Sequence, residues 1–134
     1  MAPFLMRVLM KIIYRIETEA GLGMYASGAC FMRELHIHVT PRHDWKLWEA
    51  LQVYADSNED EDVEDALQEF RFGFSDLVQL RKWVYRDDWI GRMNEMGLVL
   101  VEYECEDWDV LEGYYQAVFK NPKQAKMNFL NYIC

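Results

Sequence analysis

The sequence predicts an α+β fold, with helices packed on one face of a small, mostly antiparallel sheet. Strand-like segments lie near both ends of the chain, and segments with helical spacing of apolar residues lie between them. Strands and helices do not alternate as repeated strand–helix–strand units, which argues against a parallel, doubly wound sheet. No linker-like stretch divides the chain, so residues 1–134 are expected to form a single domain.

The first third of the chain is predicted to hold two strands. Residues 8–18 combine β-branched and aromatic residues with regularly placed charges, which is typical of an alternating strand. Three glycines between residues 21 and 28 interrupt this pattern and indicate a loop. Residues 34–40 alternate weakly and predict a second short strand, which Pro41 ends.

A helix is predicted to follow, running from an N-cap at Asp44 to about Ala55. The acidic stretch 56–69 comes next. It is either a loop or contains a short amphipathic helix, whose apolar side is formed by Val63, Ala66, Leu67 and Phe70.

Two further helices are predicted before the C-terminal strands. Ser75 is the expected N-cap of the first, since leucine and valine residues at helical spacing follow it. The second is expected over residues 88–96, with Gly97 directly after its end.

The C-terminal part predicts a pair of strands and a last helix. Residues 98–104 and 114–119 have strand-like composition, and the short connection between them favours an antiparallel hairpin. Both are expected in the same sheet as residues 8–17. The last helix is predicted to begin at Asn121 or Pro122, because proline is favoured in the first helical turn.

The overall charge limits the classes of partner. Fourteen lysines and arginines stand against 23 aspartates and glutamates, so the formal net charge is −9. Such a chain is a poor general binder of nucleic acid, because phosphate contacts require lysine and arginine. An acidic surface suits a basic protein partner instead, including one that itself binds nucleic acid.

Fourteen of the 23 acids fall in two stretches, eight in 56–69 and six in 102–112. These stretches are either solvated surface loops or an acidic face that imitates nucleic-acid phosphates. We expect the second to project into solvent and to merge with the first. The acids predicted to bind a partner are Glu59, Asp60, Glu61, Asp62, Glu64, Asp65, Glu106, Asp107 and Asp109.

Motifs for metal, cofactor or membrane binding are missing or weak. The three cysteines are widely spaced without a CxxC pair, so they suggest neither a disulfide framework nor a zinc site. His36 and His38 would share one side of a strand but need further ligands. No long uninterrupted apolar stretch predicts a membrane span. We therefore predict no metal, no cofactor and no membrane partner.

A series of short motifs resembles a known group of proteins. The motifs YRIE, GLGMY, HVTPRHD, FGFSDLVQLRKW, GLVLVEYE and YYQAVF occur in one order along nearly the whole chain. In this order they resemble a family of small, mostly uncharacterised bacteriophage and prophage proteins. The chain departs from the family pattern at Met24, where proline is favoured, and in its acidic stretch 56–69. The resemblance implies a phage origin.

The leading functional hypothesis is a phage-made inhibitor of a host defence protein, such as an anti-CRISPR protein. It would occupy the basic nucleic-acid-binding surface of its target by steric and electrostatic occlusion, without itself binding nucleic acid. It would act in the cytoplasm of the infected or lysogenic bacterial host. No GxSxG or P-loop motif occurs in the sequence, so we favour a binding protein over an enzyme.

An enzyme remains the alternative hypothesis. The order of elements is similar to ADP-ribosyltransferase-like folds, whose first strand bears a residue that holds NAD. This similarity implies Arg15 in that role, Tyr25 or Ser27 in the middle, and Gln116 or Glu112 at the last position. The Ser-Thr-Ser element that such enzymes carry is absent from this sequence.

Overall fold

The structure, a computed structural model, describes residues 9–21, 44–59 and 62–130. Its elements, in chain order, are β1 Met10–Glu17, α1 Trp45–Ser57, α2 Val63–Leu67, β2 Arg71–Gly73, α3 Leu77–Trp83, α4 Asp87–Glu95, β3 Val99–Glu106, a turn of 3-10 helix Asp107–Asp109, β4 Val110–Glu112, β5 Ala117–Phe119 and β6 Gln124–Asn128. The predicted strand 34–40 lies outside the described residues, as do Tyr25, Ser27, His36 and His38.

The described strands form two antiparallel sheets of three strands each. Sheet A has the order β1-β3-β6, and sheet B has the order β2-β5-β4. In sheet A the eight residues of β1 pair with the eight of β3, from Met10 opposite Glu106 to Glu17 opposite Val99. Two backbone hydrogen bonds between Tyr14 and Phe74 tie β1 to the chain just after β2 and so connect the sheets. The α+β class predicted from the sequence is confirmed.

Alternation along the strands sends apolar residues to three separate cores. Between the sheets, Val101 and Tyr103 of β3 pack with Phe119 of β5. On the other side of β5, Val118 packs against Leu47 and other residues of α1 and α2. A third core places α3 and α4 on the far side of sheet A. Each sheet therefore has helices on its outer face and the other sheet on its inner face.

Two predictions for the C-terminal part are wrong. Residues 98–104 and 114–119 do not pair, because the chain turns at Asp107–Asp109 and continues into β4. β5 then pairs with β4 through the short loop 113–116, and both strands lie in sheet B. The predicted last helix is instead β6, which pairs with β3. β6 is an exposed edge strand, so its sequence carries little of the apolar alternation that indicates a strand.

The helix predictions are largely confirmed. The Asp44 side chain accepts a hydrogen bond from the backbone N–H of Leu47 and caps α1. The short helix in the acidic stretch exists as α2. The N-cap of α3 is Asp76 rather than Ser75, since the Asp76 carboxylate accepts from the N–H of Gln79. Within the described part of the chain, no helix has the length and apolarity needed to span a membrane.

Candidate functional site: two acidic runs and a buried arginine

The first acidic stretch, residues 56–69, lies on the end of α1, the connection that follows and α2. We call it the helical run. It contains no lysine or arginine. Its exposed acids among the described residues are Asp56, Glu59, Asp62, Glu64 and Glu69. Asp65 is half-buried, and the predicted site residues Asp60 and Glu61 lie outside the described residues.

Several carboxylates of the helical run also hold local structure. Asp62 caps α2 by accepting a hydrogen bond of 2.8 Å from the N–H of Asp65. Asp56 accepts from the amide of Gln52, and Glu69 accepts from the hydroxyl of Tyr54. These three partners are uncharged, so the contacts themselves do not neutralise Asp56, Asp62 or Glu69.

The second acidic stretch, residues 102–112, is held within the two sheets and the turn between them. We call it the sheet run. The Lys11 ammonium lies 2.9 Å from Asp107 Oδ1 and 2.8 Å from Glu112 Oε2. Hydrogen bonds from Lys11 to these two carboxylates raise the pKa of the lysine. A sequence-distant lysine of β1 thus neutralises part of the sheet run.

Further acids of the sheet run are ion-paired, hydrogen-bonded or buried. Glu106 lies 3.7 Å from Lys123 Nζ, and Glu102 accepts a hydrogen bond from Asn128. Asp109 is 7% exposed. Of the predicted partner-binding acids in this run, Glu106 and Asp107 are therefore ion-paired and Asp109 is buried.

The two runs approach each other at Lys120. Its ammonium hydrogen-bonds to the Tyr54 hydroxyl, and this contact is the main cause of the raised pKa of Lys120. The charges of Glu69 from the helical run and Asp109 from the sheet run raise the same pKa further. One acid of each run therefore lies near the same lysine. The expected projection of the second stretch into solvent is wrong, because its acids lie on β3, in the 3-10 turn and on β4, and Asp109 is buried.

A separate polar cluster lies buried between the sheets. Arg15 donates 2.9 Å to Glu17 and 2.8 Å to the carbonyl of Phe72. The Tyr103 hydroxyl donates to the same Glu17 carboxylate at 2.9 Å. Burial lowers the pKa of Arg15, and burial together with Glu17 raises the pKa of Tyr103. The guanidinium is therefore committed to an internal ion pair.

Arg15 and Gln116, two residues of the alternative enzyme hypothesis, line one cavity with Phe72 and Trp83. The cavity has a volume of about 20 Å³. One water molecule needs about 10–15 Å³ by this measure, so the cavity has room for roughly one. The third residue, Tyr25, lies outside the described residues. Within the described ranges, no group of three or more His, Cys, Asp or Glu side chains is placed to hold a metal ion.

The sequence interpretation missed the role of Asp44 beyond helix capping. This carboxylate is fully buried and also accepts backbone N–H groups of Tyr114, Tyr115 and Gln116 at 2.8–3.3 Å. A Cβ atom at Gly113 would lie 2.3 Å from Asp44 Oδ2, so glycine is required there. The only sequence signal for this contact is a glycine directly before two tyrosines, 69 residues after the aspartate.

The fold and surface define a small, acidic α+β protein. The family model described as Bacteriophage T4 Y00F protein matches residues 6–132. The chain therefore belongs to this phage protein family, and the resemblance drawn from its motifs is confirmed. No curated protein and no solved structure matches the chain.

Proposed function

We propose that this phage protein is a non-enzymatic inhibitor that covers the basic nucleic-acid-binding surface of a host defence protein, in the manner of an anti-CRISPR protein. The observation that carries the proposal is the helical run. Most of its described acids are exposed, and the stretch contains no lysine or arginine. Such a surface attracts the lysine and arginine side chains that line a nucleic-acid channel.

The contrast with the sheet run supports assigning binding to the helical run. Acids that already face lysines within the protein contribute little to an external field, because their charge is balanced nearby. In the helical run, Asp56 and Asp62 accept hydrogen bonds from uncharged groups, and Glu69 lies near Lys120. Its site of action would be the cytoplasm of the infected or lysogenic bacterial host.

Displacement of nucleic acid from the target tests this proposal. Tagged protein is used to retain host proteins from lysate at low salt. The retained proteins are then eluted at high salt, separated from the tagged protein, returned to low salt and loaded with a fluorescent oligonucleotide. We expect the phage protein to release the oligonucleotide, and the release to weaken as salt rises. The triple variant Asp56→Asn, Glu59→Gln, Glu64→Gln should release it about tenfold less effectively, since each exposed charge contributes a fraction of a kcal/mol. Asp62 is left intact because it caps α2.

A matched control separates a local effect from a change in net charge. The variant Glu19→Gln, Asp87→Asn, Glu95→Gln removes three exposed acids elsewhere, of which Asp87 pairs with Arg81, and gives the same net charge. It should release the oligonucleotide as well as the parent protein does. Equal loss in both variants, or loss in neither, would show that the helical run is not the contact surface.

The enzyme hypothesis predicts that the protein binds NAD, whereas the inhibitor proposal predicts that it does not. The cavity lined by Arg15 and Gln116 has room for about one water molecule, so we expect no NAD-induced thermal shift. We likewise expect no transfer of label from NAD to proteins of a host lysate. Transfer that disappears in an Arg15→Lys variant of unchanged folding would overturn the inhibitor proposal.

A further inference from the structure

An exposed aromatic patch lies beside the N-terminus of α1. We define the patch as Trp45, Tyr114 and Tyr115, which are 74%, 65% and 53% exposed. The two tyrosine rings lie 6.3 Å apart at an interplanar angle of 58°. Tryptophan and tyrosine are the residues that most often anchor protein interfaces.

The loop that carries the two tyrosines is held from both sides. Asp44 accepts its backbone N–H groups, as described above, and this aspartate directly precedes Trp45. From the other side, the Gln79 side-chain amide donates to the carbonyls of Gly113 and Tyr114 at 3.3 and 3.1 Å. A loop fixed in this way loses little conformational entropy when a partner binds.

The aromatic patch is continuous with the acidic surface through α1. Trp45, Glu49, Val53 and Asp56 are exposed and spaced by four, four and three residues, so they form one outward stripe. The opposite side of the helix is buried through Leu47, Leu51 and Ala55. The stripe therefore leads from the aromatic patch into the helical run.

The patch already binds a cation within the protein itself. The Lys46 ammonium lies 5.5 Å from the centroid of the Tyr114 ring. This distance is within the range of cation–π attraction, so Lys46 occupies this ring, and a cation from outside the chain competes with it there. An arginine guanidinium stacks on such rings better than a lysine ammonium and also pairs with carboxylates.

We propose that the aromatic patch and the outward stripe of α1 form one docking surface for an arginine-bearing segment of a protein partner. Guanidinium groups of this segment stack on the rings of the patch, and neighbouring basic residues face Glu49, Asp56 and the helical run. The inference rests on the proposed function for the basic character of the partner. It adds the location of the docking surface and a preference for arginine over lysine in the partner.

Two peptides of equal charge, nona-arginine and nona-lysine, serve as probes in titrations of the full chain. We expect nona-arginine to bind about fivefold more tightly, from the advantage of a few exposed cation–π contacts. The variant Trp45→Leu, Tyr114→Leu, Tyr115→Leu keeps apolar bulk but removes the rings, so this preference should disappear. The corresponding phenylalanine variant at the two tyrosines should retain it.

Matched controls test the location of the effect. Tyr85 and Trp108 are similarly exposed elsewhere, and replacing both with leucine should leave the arginine preference unchanged. Lys46→Gln should tighten binding of both peptides, because it removes the internal competitor for Tyr114. Lys82→Gln, at another exposed lysine, should tighten binding less.

The outcomes separate this inference from the proposed function. Equal binding of the two peptides, or a preference that survives in the leucine variant, would overturn the docking surface. The charge variant of the helical run would still weaken both peptides if the proposed function alone is correct. Binding of neither peptide would overturn both.

Discussion

The two acidic runs both lack lysine and arginine in the sequence but occupy different environments in the structure. The sheet run alternates on β3 and turns into β4, where sequence-distant lysines meet it. Lys11 bridges two of its carboxylates, and Lys126 lies opposite Glu102 in the register of β3 and β6. The helical run lies on two helices and the connection between them, and most of its described acids are exposed.

This difference shows that a cluster of charge in a sequence does not by itself define a binding surface. Antiparallel pairing brings side chains from distant parts of the chain directly opposite each other, and opposite charges there stabilise the sheet. A helix instead presents its outer side to solvent, and its neighbours in space are mostly its neighbours in sequence. We therefore expect the sheet run to affect stability and the helical run to affect binding.

The largest expected effect concerns Asp44, which holds the loop following the sheet run. Asp44→Ala removes a buried carboxylate that accepts four backbone N–H groups, so it should lower the free energy of unfolding by about 3–5 kcal/mol. Asp62→Ala, at an exposed cap in the helical run, should cost about 1 kcal/mol. Urea unfolding of both variants measures the two losses.

Gly113→Ala provides an independent test of the same contact. Its Cβ atom would overlap the Asp44 carboxylate, so this variant should also be strongly destabilised. Equal costs for the Asp44 and Asp62 variants would contradict the assignment of Asp44 as the stronger structural contact.

A second effect concerns Cys105, which lies on the buried face of β3. Burial raises the pKa of its thiol to about 11, and the charges of Asp109 and Glu104 in the sheet run act in the same direction. Between pH 9 and 11 the unfolded thiol loses its proton while the folded thiol keeps it. Stability is therefore fully present below pH 9 and falls by about 2–3 kcal/mol as pH rises to 11.

The measurement compares urea unfolding of the parent protein and Cys105→Ala across this pH range. Tyr103, Lys11 and Lys120 also have raised pKa values, and they produce an alkaline loss in both proteins. The contribution of Cys105 is the difference between the two proteins in how steeply the free energy of unfolding falls with pH. Asp109→Asn should reduce this contribution of Cys105, whereas neutralising Glu59 and Glu64 should leave it unchanged. If the free energies of unfolding of the two proteins fell in parallel with pH, the thiol would have the same pKa in the folded and unfolded states.

Much of the local structure was predictable because it depends on nearby residues. The strand β1, the capped helix α1 and the short helix α2 follow from alternation, an N-cap aspartate and helical spacing. The partner of β5 was not predictable in this way. Residues 98–104 and 114–119 are separated by a length that suits a hairpin, but a tight turn at Asp107–Asp109 creates β4 instead.

The same limit of local sequence applies to the candidate site. Neither run contains a lysine or arginine, so the sequence alone does not distinguish them. Neutralisation of the sheet run by Lys11, and the contact between Asp44 and Tyr114, depend on residues about 70–100 positions apart. Such contacts form only once the sheets have paired, so local sequence does not predict them. The aromatic patch depends on the contact of Asp44 with Tyr114 and Tyr115 and therefore had no clear sequence signal.

The smallest effect tests the ion pairs of the sheet run directly. Lys11→Met keeps the aliphatic stem but leaves Asp107 and Glu112 without their shared cation, and it should cost about 0.5–1 kcal/mol at low salt. The cost is small because all three groups are partly exposed to water. Added salt screens both the lost attraction and the new repulsion, so the difference from the parent protein should shrink toward 0.5 M salt. Asp56→Asn in the helical run, which lies beside a neutral glutamine, should change stability by less and show no such salt dependence. Urea unfolding at two salt concentrations measures both variants, and an equal response would mean that the two runs do not differ in their internal pairing.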